Sequence, residues 1–91
     1  MRIDWDDGKS ELLKRDRGLS LEECAEMFLS GHVADQKSDV PEQYFAIGFV
    51  QGQLITLIYE YRQNEDEEII WLITYWKATK REAQLYEQKR K

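Results

Sequence analysis

The groups able to do chemistry are spread unevenly along these 91 residues. From Trp76 to Lys91 six basic residues (Lys77, Lys80, Arg81, Lys89, Arg90 and Lys91) face only Glu82 and Glu87, a local charge of +4, so the total of -5 leaves residues 1–75 at -9. A tail of this kind reads either as a phosphate-contacting surface or as a solvated helix face whose cations suit the negative end of the helix dipole. Tyr75 and Trp76 stand just before it. Neighbouring side chains on a strand point to opposite faces, so one of these rings is free to stack on a base, unless both are core. The single His32 and single Cys24 leave too few soft ligands for a zinc site and no histidine pair for acid–base work. One cysteine also forms no internal disulfide, so stability has to come from burial.

The elements that must hold these groups follow from the hydrophobic pattern. Residues 1–5 suit a short strand, Asp6 an N-cap, and Gly18 the left-handed position that ends a first helix carrying Lys9, Lys14, Arg15 and Arg17, with Leu12 and Leu13 as its buried side. Ser20 and Glu23 form a capping box, and Leu21, Cys24, Ala25, Phe28 and Leu29 then fall on one helical stripe that stops at Gly31. Cys24 on that stripe is a small buried hydrophobe rather than a nucleophile. After Pro41 the period changes. Residues 44–50, 54–61 and 69–76 are rich in β-branched and aromatic side chains and read as strands, with a shorter one near 33–37. Gln51-Gly52 and Gln63-Asn64-Glu65-Asp66 suit hairpins, so consecutive strands pair antiparallel in a meander. Loops are expected around 30–43, which includes His32, and around 63–68. The last two strands are apolar on both sides, which calls for cover on more than one face. A closing helix from about Lys77 docks through Ala78, Ala83, Leu85 and Tyr86.

The expected class is α+β, in one domain spanning 1–91. A chain this small buries roughly two-thirds of its unfolded surface, so a partner or a homodimer would add stability. No run spans a bilayer, because the apolar stretches between 44 and 76 are broken by Gln51, Gly52, Gln53, Glu60 and the acids after Arg62. The acidic start Asp4-Trp5-Asp6-Asp7 is unlike a signal peptide, and a cytoplasmic location is expected. The acidic total argues against a polyanion partner, whereas the polarised distribution leaves room for one.

The order of certain residues resembles one family. Ile3-Asp4-Trp5-Asp6, Lys9, Gly18-Leu19-Ser20-Leu21-Glu22-Glu23-Cys24-Ala25 and Met27-Phe28 are similar to the opening of BrnT-type toxins. Glu42-Gln43-Tyr44-Phe45-Ala46-Ile47-Gly48 resembles that family's Glu-Arg stretch ending in Ile-Gly. Leu57-Ile58-Tyr59-Glu60-Tyr61-Arg62 resembles its fourth strand, and Ile73-Thr74-Tyr75-Trp76-Lys77-Ala78, with Glu82 and Tyr86, its last strand and helix. The resemblance implies a compact RelE-like fold and a metal-independent endoribonuclease without cofactor that inhibits translation by cleaving RNA. It also implies a BrnA-like antitoxin whose ribbon-helix-helix domain is the only route to DNA. Three positions depart from the family: Asp16-Arg17 stands for a lysine-histidine pair, Gln43 for an arginine, and Trp76 for the arginine of Ser-Ala-Arg.

Cutting RNA without a metal needs an activated ribose 2′-hydroxyl, a cation for the phosphorane and a proton for the leaving 5′-oxygen. The candidate catalytic residues are Arg62, Glu42, Lys77 and Tyr86, and the candidate RNA-binding residues are Lys80, Trp76, Lys14 and Arg17. Arg62, a forked and permanently charged donor at a strand end, would hold the scissile phosphate, or else pair with Glu60 or the acidic turn. Glu42 would act as base if burial raised its pKa, and Tyr86 would donate a hydrogen bond or proton. Surface acid and packed phenol are the structural alternatives. Lys77 and Lys80 would ground the RNA backbone, Trp76 would stack, and Lys14 and Arg17 would add phosphate contacts or remain solvated charge. A second function class is pure binding. An acidic body would dock on a basic antitoxin segment, and the missing arginines favour a catalytically weak interaction module.

Overall fold

A computed structural model describes residues 2–89. The order is β1 (Arg2–Trp5), α1 (Asp7–Arg17), α2 (Leu21–Cys24) running into a 3-10 turn (Ala25–Leu29), β2 (His32–Asp39), β3 (Glu42–Val50), β4 (Gln53–Asn64), β5 (Glu67–Lys77) and α3 (Lys80–Lys89). The class is α+β. Five strands form one sheet in the order β1-β5-β4-β3-β2. Strands β2 to β5 make the antiparallel meander, and β1 joins its far side parallel to β5, Arg2 opposite Ile69 through Trp5 opposite Leu72.

Local chemistry sets the helix ends. Asp6 accepts from the Lys9 N–H at 3.0 Å, and Gly18 takes the left-handed φ of 95° that would strain a side chain. Ser20 and Glu23 make the reciprocal capping box. Beyond Cys24 the winding tightens to three residues per turn, so the inward position falls on Met27 and Leu29 swings out to 89% exposure, not into the stripe expected for it. On α1, Leu13 is buried but Leu12 is half exposed. Its expected place is taken by Ser10, whose hydroxyl accepts from the Leu21 N–H at 2.9 Å.

The Gln51-Gly52 turn has positive φ at both residues, 49° and 81°, the pattern that matches strand twist in a tight hairpin. The segment expected as a loop over 30–43 is instead mostly strand. β2 starts at His32 and pairs with β3 down to Asp39 opposite Glu42, leaving Val40-Pro41 as the connection. The second loop shrinks to Glu65-Asp66 for the same reason, because β4 and β5 pair out to Asn64 opposite Glu67.

Two cores lie on the two faces of the sheet. On one face Leu13, Leu19, Leu21, Cys24 and Met27 from the N-terminal helices cover Ala46, Val50, Ile55, Leu57, Tyr59, Ile70, Leu72 and Tyr75. Leu72 and Tyr75 share this face although three residues apart, because a bulge between Ile58 and Tyr59 of β4 shifts the β5 register there. On the other face α3 lays Leu85 and Tyr86 on Val33, Ile47, Phe45 and Leu54. Its weight therefore falls on β2 and β3. The β4–β5 half of that face carries Glu60, Arg62, Trp71, Thr74 and Trp76.

Candidate nucleic-acid interface

Where β5 runs into α3, the register places Lys77 opposite Ile55, and the Ala78 N–H donates to the Leu54 carbonyl at 3.0 Å. The helix starts at Lys80, three residues later than the pattern suggested, because Thr79 and Glu82 cap it. The Glu82 carboxylate accepts from the Thr79 N–H at 2.9 Å, and the Thr79 hydroxyl accepts from the Glu82 N–H at 3.2 Å. The same carboxylate accepts from the Trp76 indole N–H at 3.0 Å. Burial alone would raise Glu82, but the bonds from the Thr79 backbone and the Trp76 indole outweigh it and hold its pKa below the usual carboxylate range. Glu82 is thus an ionised group fixed against the sheet.

Tyr75 and Trp76 point to opposite faces. Tyr75 is buried, its hydroxyl donating to the Leu19 carbonyl at 2.8 Å and accepting from the Leu19 N–H at 2.9 Å. Trp76 is half-buried beside α3. Since β1 pairs with β5 only as far as Leu72, the outer edge of β5 beyond that point is open, and there the Arg17 guanidinium at the end of α1 donates to the Tyr75 carbonyl. Arg17 thus bonds the backbone one residue before Trp76, from the helix side of the sheet opposite to the Trp76 ring.

This end differs in charge from the rest of the molecule. Among the described residues Arg2, Lys14, Arg15, Arg62 and Lys89 each pair with a carboxylate. Arg17, Lys77, Lys80 and Arg81 pair with none and belong to the β5–α3 end, Arg17 through the Tyr75 carbonyl, Lys77 on the Ile55 face of the sheet, and Lys80 and Arg81 in the first turn of α3, whereas Lys9 and Lys37, likewise without an acid partner, lie elsewhere. Arg81 was not singled out by spacing, although the tail charge counted it. The clamp on Trp76 had a readable signal: Thr79-x-x-Glu82 is the same capping pattern as Ser20-x-x-Glu23.

Of the other candidate residues, Arg62 and Glu42 lie far along the sheet from this end, while Tyr86 and Lys14 lie near it but are engaged otherwise. Arg62 pairs opposite Ile69, seven residues along β4 from Ile55, roughly 23 Å from the Lys77 position at about 3.3 Å per residue. Its Nε donates to Glu60 at 2.6 Å, and its guanidinium carbon lies 4.3 Å from the centre of the Trp71 ring. Glu42 starts β3 on the other face of the sheet, exposed, so the burial that would make it a base is missing; it accepts from the Tyr44 hydroxyl. That bond, with burial and the neighbouring acids, pushes Tyr44 up to about 12. Tyr86 is buried edge-on against Phe49. Lys14 bonds Glu23 at 2.8 Å and, with the Ser20 N–H and the Gln51 amide, holds that carboxyl down at about 2.

His32 opens β2 rather than sitting in a loop, and its ring meets Phe28 edge-on at 5.4 Å. Phe28, Tyr59, Tyr44 and Tyr61 continue that contact as a chain of rings, with Tyr61 45% exposed at its end. Cys24 has no exposed surface, and burial pushes its thiol up to about 12. Among the described residues no three His, Cys, Asp or Glu side chains come together as a metal site, and no helix is long and apolar enough to cross a membrane.

Over residues 5–82 the sequence matches the family model described as ribonuclease toxin, BrnT, of type II toxin-antitoxin system. A comparison with curated proteins finds no match.

Proposed function

Starting from a chain that belongs to the BrnT family of ribonuclease toxins of type II toxin-antitoxin systems, we propose that it cuts RNA without a metal, contacting the scissile phosphate at the β5–α3 end, and so inhibits translation. The observation that carries this reading is that, among the described residues, Arg17, Lys77, Lys80 and Arg81 stand in no ion pair and all belong to the end of the sheet where β5 passes into α3, Lys77 on the Tyr75 face and the half-buried Trp76 on the other, in an otherwise acidic molecule. Phosphoryl cleavage concentrates negative charge on the phosphorane oxygens. Preplaced ammonium and guanidinium groups stabilise that charge more than they stabilise the ground state, which is what lowers a barrier. Lys77 and Lys80 take this part, and the Trp76 ring, steadied by Glu82, stacks on a neighbouring base.

In this reading Glu42 and Arg62 stand too far along the sheet to take part, and Tyr86 serves as packing, buried against Phe49. With no histidine among these cations, the 2′-hydroxyl loses its proton to solvent, its oxygen bonds the phosphorus as the bond to the 5′-oxygen breaks to leave a 2′,3′-cyclic phosphate, and the leaving 5′-oxygen takes its proton from solvent; electrostatic stabilisation supplies the rate. The partner is a BrnA-like antitoxin with a ribbon-helix-helix DNA-binding domain. The acidic body suits a basic segment of it, and the exposed Tyr61 beside Tyr44 and Glu42 offers rings for its cations. A second reading, a binding module that has lost catalysis, is favoured by one observation: Arg62 is already committed to Glu60.

The test is incubation of the purified chain with single-stranded RNA in excess chelator. Cleavage that disappears in the Lys77→Ala, Lys80→Ala double variant supports the nuclease. Intact RNA, together with tight binding to the product of the neighbouring gene, supports the binding module.

A further inference from the structure

The unassigned arrangement on the open β4–β5 half of the sheet is the stack of Arg62 on Trp71. The Arg62 guanidinium carbon stands 4.3 Å from the ring centre, and Glu60, two residues earlier on the same face, holds its Nε at 2.6 Å. A guanidinium is planar, and these two contacts restrain it from two directions, the ring beneath its carbon and the carboxylate at its Nε. Glu60 also neutralises the charge at close range, so the group is poorly suited to gripping a phosphate and well suited to presenting a flat face. The Arg62 side chain is 49% exposed, so about half of it meets solvent although it is held on two sides. RNA-binding proteins stack unpaired bases on aromatic rings and on guanidinium planes alike.

We infer that Arg62, backed by Trp71 and oriented by Glu60, is a stacking plate for a base of single-stranded RNA bound at the same time to the cationic β5–α3 end. This rests on the reading of the chain as an RNA-acting toxin. The occupant is favoured by charge at the other end of the same strand pair, which carries four cations without acid partners among the described residues, while Glu60 offsets Arg62 at the plate and the acidic Glu65–Glu68 hairpin beside it keeps phosphates away, leaving the plate a base rather than a backbone to hold. Trp71 and Trp76 share this face of β5. Their partners Glu60 and Thr56 lie four residues apart on β4, so the two rings are separated by about 13 Å. That is the length of about four nucleotides at 3.4 Å per phosphate in a stacked strand. A dinucleotide therefore reaches one platform only, and an octanucleotide reaches both.

The experiment measures the affinity of the full chain for the dinucleotide UpU and for octauridylate in chelator. The variants are Arg62→Lys, which keeps the charge and loses the plane, and Trp71→Ala, which removes the backing. Each weakens octauridylate by about 5- to 150-fold, the range for one lost base stack, and leaves UpU unchanged. Arg62→Lys is conservative at a half-exposed position, so it reports even where Trp71→Ala fails to fold. Octauridylate binding at wild-type affinity in Arg62→Lys, or equal weakening of both probes, overturns the plate. If octauridylate binding falls in Lys77→Ala, Lys80→Ala but not in Arg62→Lys, the plate alone is wrong. No binding of octauridylate by the unaltered chain removes the RNA reading and the plate with it.

Discussion

Removing two charges from the β5–α3 end has a consequence that can be worked out from the ion pairs. RNA binding releases counterions, and for a single strand the logarithm of affinity falls with the logarithm of salt by about 0.7 per phosphate neutralised. Among the described residues Arg2, Lys14, Arg15, Arg62 and Lys89 already face carboxylates and contribute little, which leaves Arg17, Lys77, Lys80 and Arg81 at that end. Four contacts give a slope of about 2.8, so affinity drops about 50-fold between 50 and 200 mM salt. In Lys77→Ala, Lys80→Ala two contacts remain, the slope falls to ~1.4, and the same salt step costs only about 7-fold. Fluorescence anisotropy of a labelled oligouridylate, titrated at several salt concentrations without divalent ions, reads both slopes. A double variant with the wild-type slope would show that the neutralised phosphates lie somewhere else, and the reasoning from unpaired cations would be wrong.

Three further outcomes follow from the interior. Tyr75→Phe orphans the Leu19 N–H and carbonyl in a buried position, which costs about 1–3 kcal/mol in urea denaturation; an unchanged midpoint would contradict the account. Cys24, fully buried with its thiol pushed up to about 12, resists thiol reagents at pH 8 until the chain unfolds, and rapid labelling of the native protein would refute that. Glu82 has a folded pKa below its ordinary value of 4.5, so its contribution to stability is present above that pH and is lost as pH falls through the folded value. Urea melts from pH 7 to pH 3 should show the gap between the unaltered chain and Glu82→Gln narrowing in acid; a gap independent of pH would mean that the carboxylate's charge is not what matters.

The parts of the fold that were legible in the sequence are those set by local chemistry. Ser20 and Glu23 cap a helix because they are three residues apart, Gly18 ends one because it accepts a φ of 95°, and Gln51-Gly52 turns a hairpin because both residues take positive φ. Family membership was likewise readable from the order of short strings. What escaped depends on tertiary pairing. The tightening of the helix after Cys24 exchanged Met27 for Leu29, and β1 reached β5 across two helices, so neither local period nor turn chemistry recorded it.

The candidate site divides in the same way. Trp76 and Tyr75 take opposite faces as alternation requires, and the pairing of Arg62 with Glu60 was an open alternative because residues two apart share a strand face. That Arg17 would join Lys77, while Glu42 and Arg62 sit about seven strand residues away on opposite faces, needed the register of the whole meander.

The central claim is that RNA meets this protein where β5 passes into α3. Amide chemical shifts followed during titration of the isotope-labelled chain with oligouridylate test it most directly. The largest changes are expected at Arg17 and from Trp76 to Glu82. Changes centred instead on α2 and the Tyr44–Tyr61 rings, with the β5–α3 amides unmoved, would contradict the account.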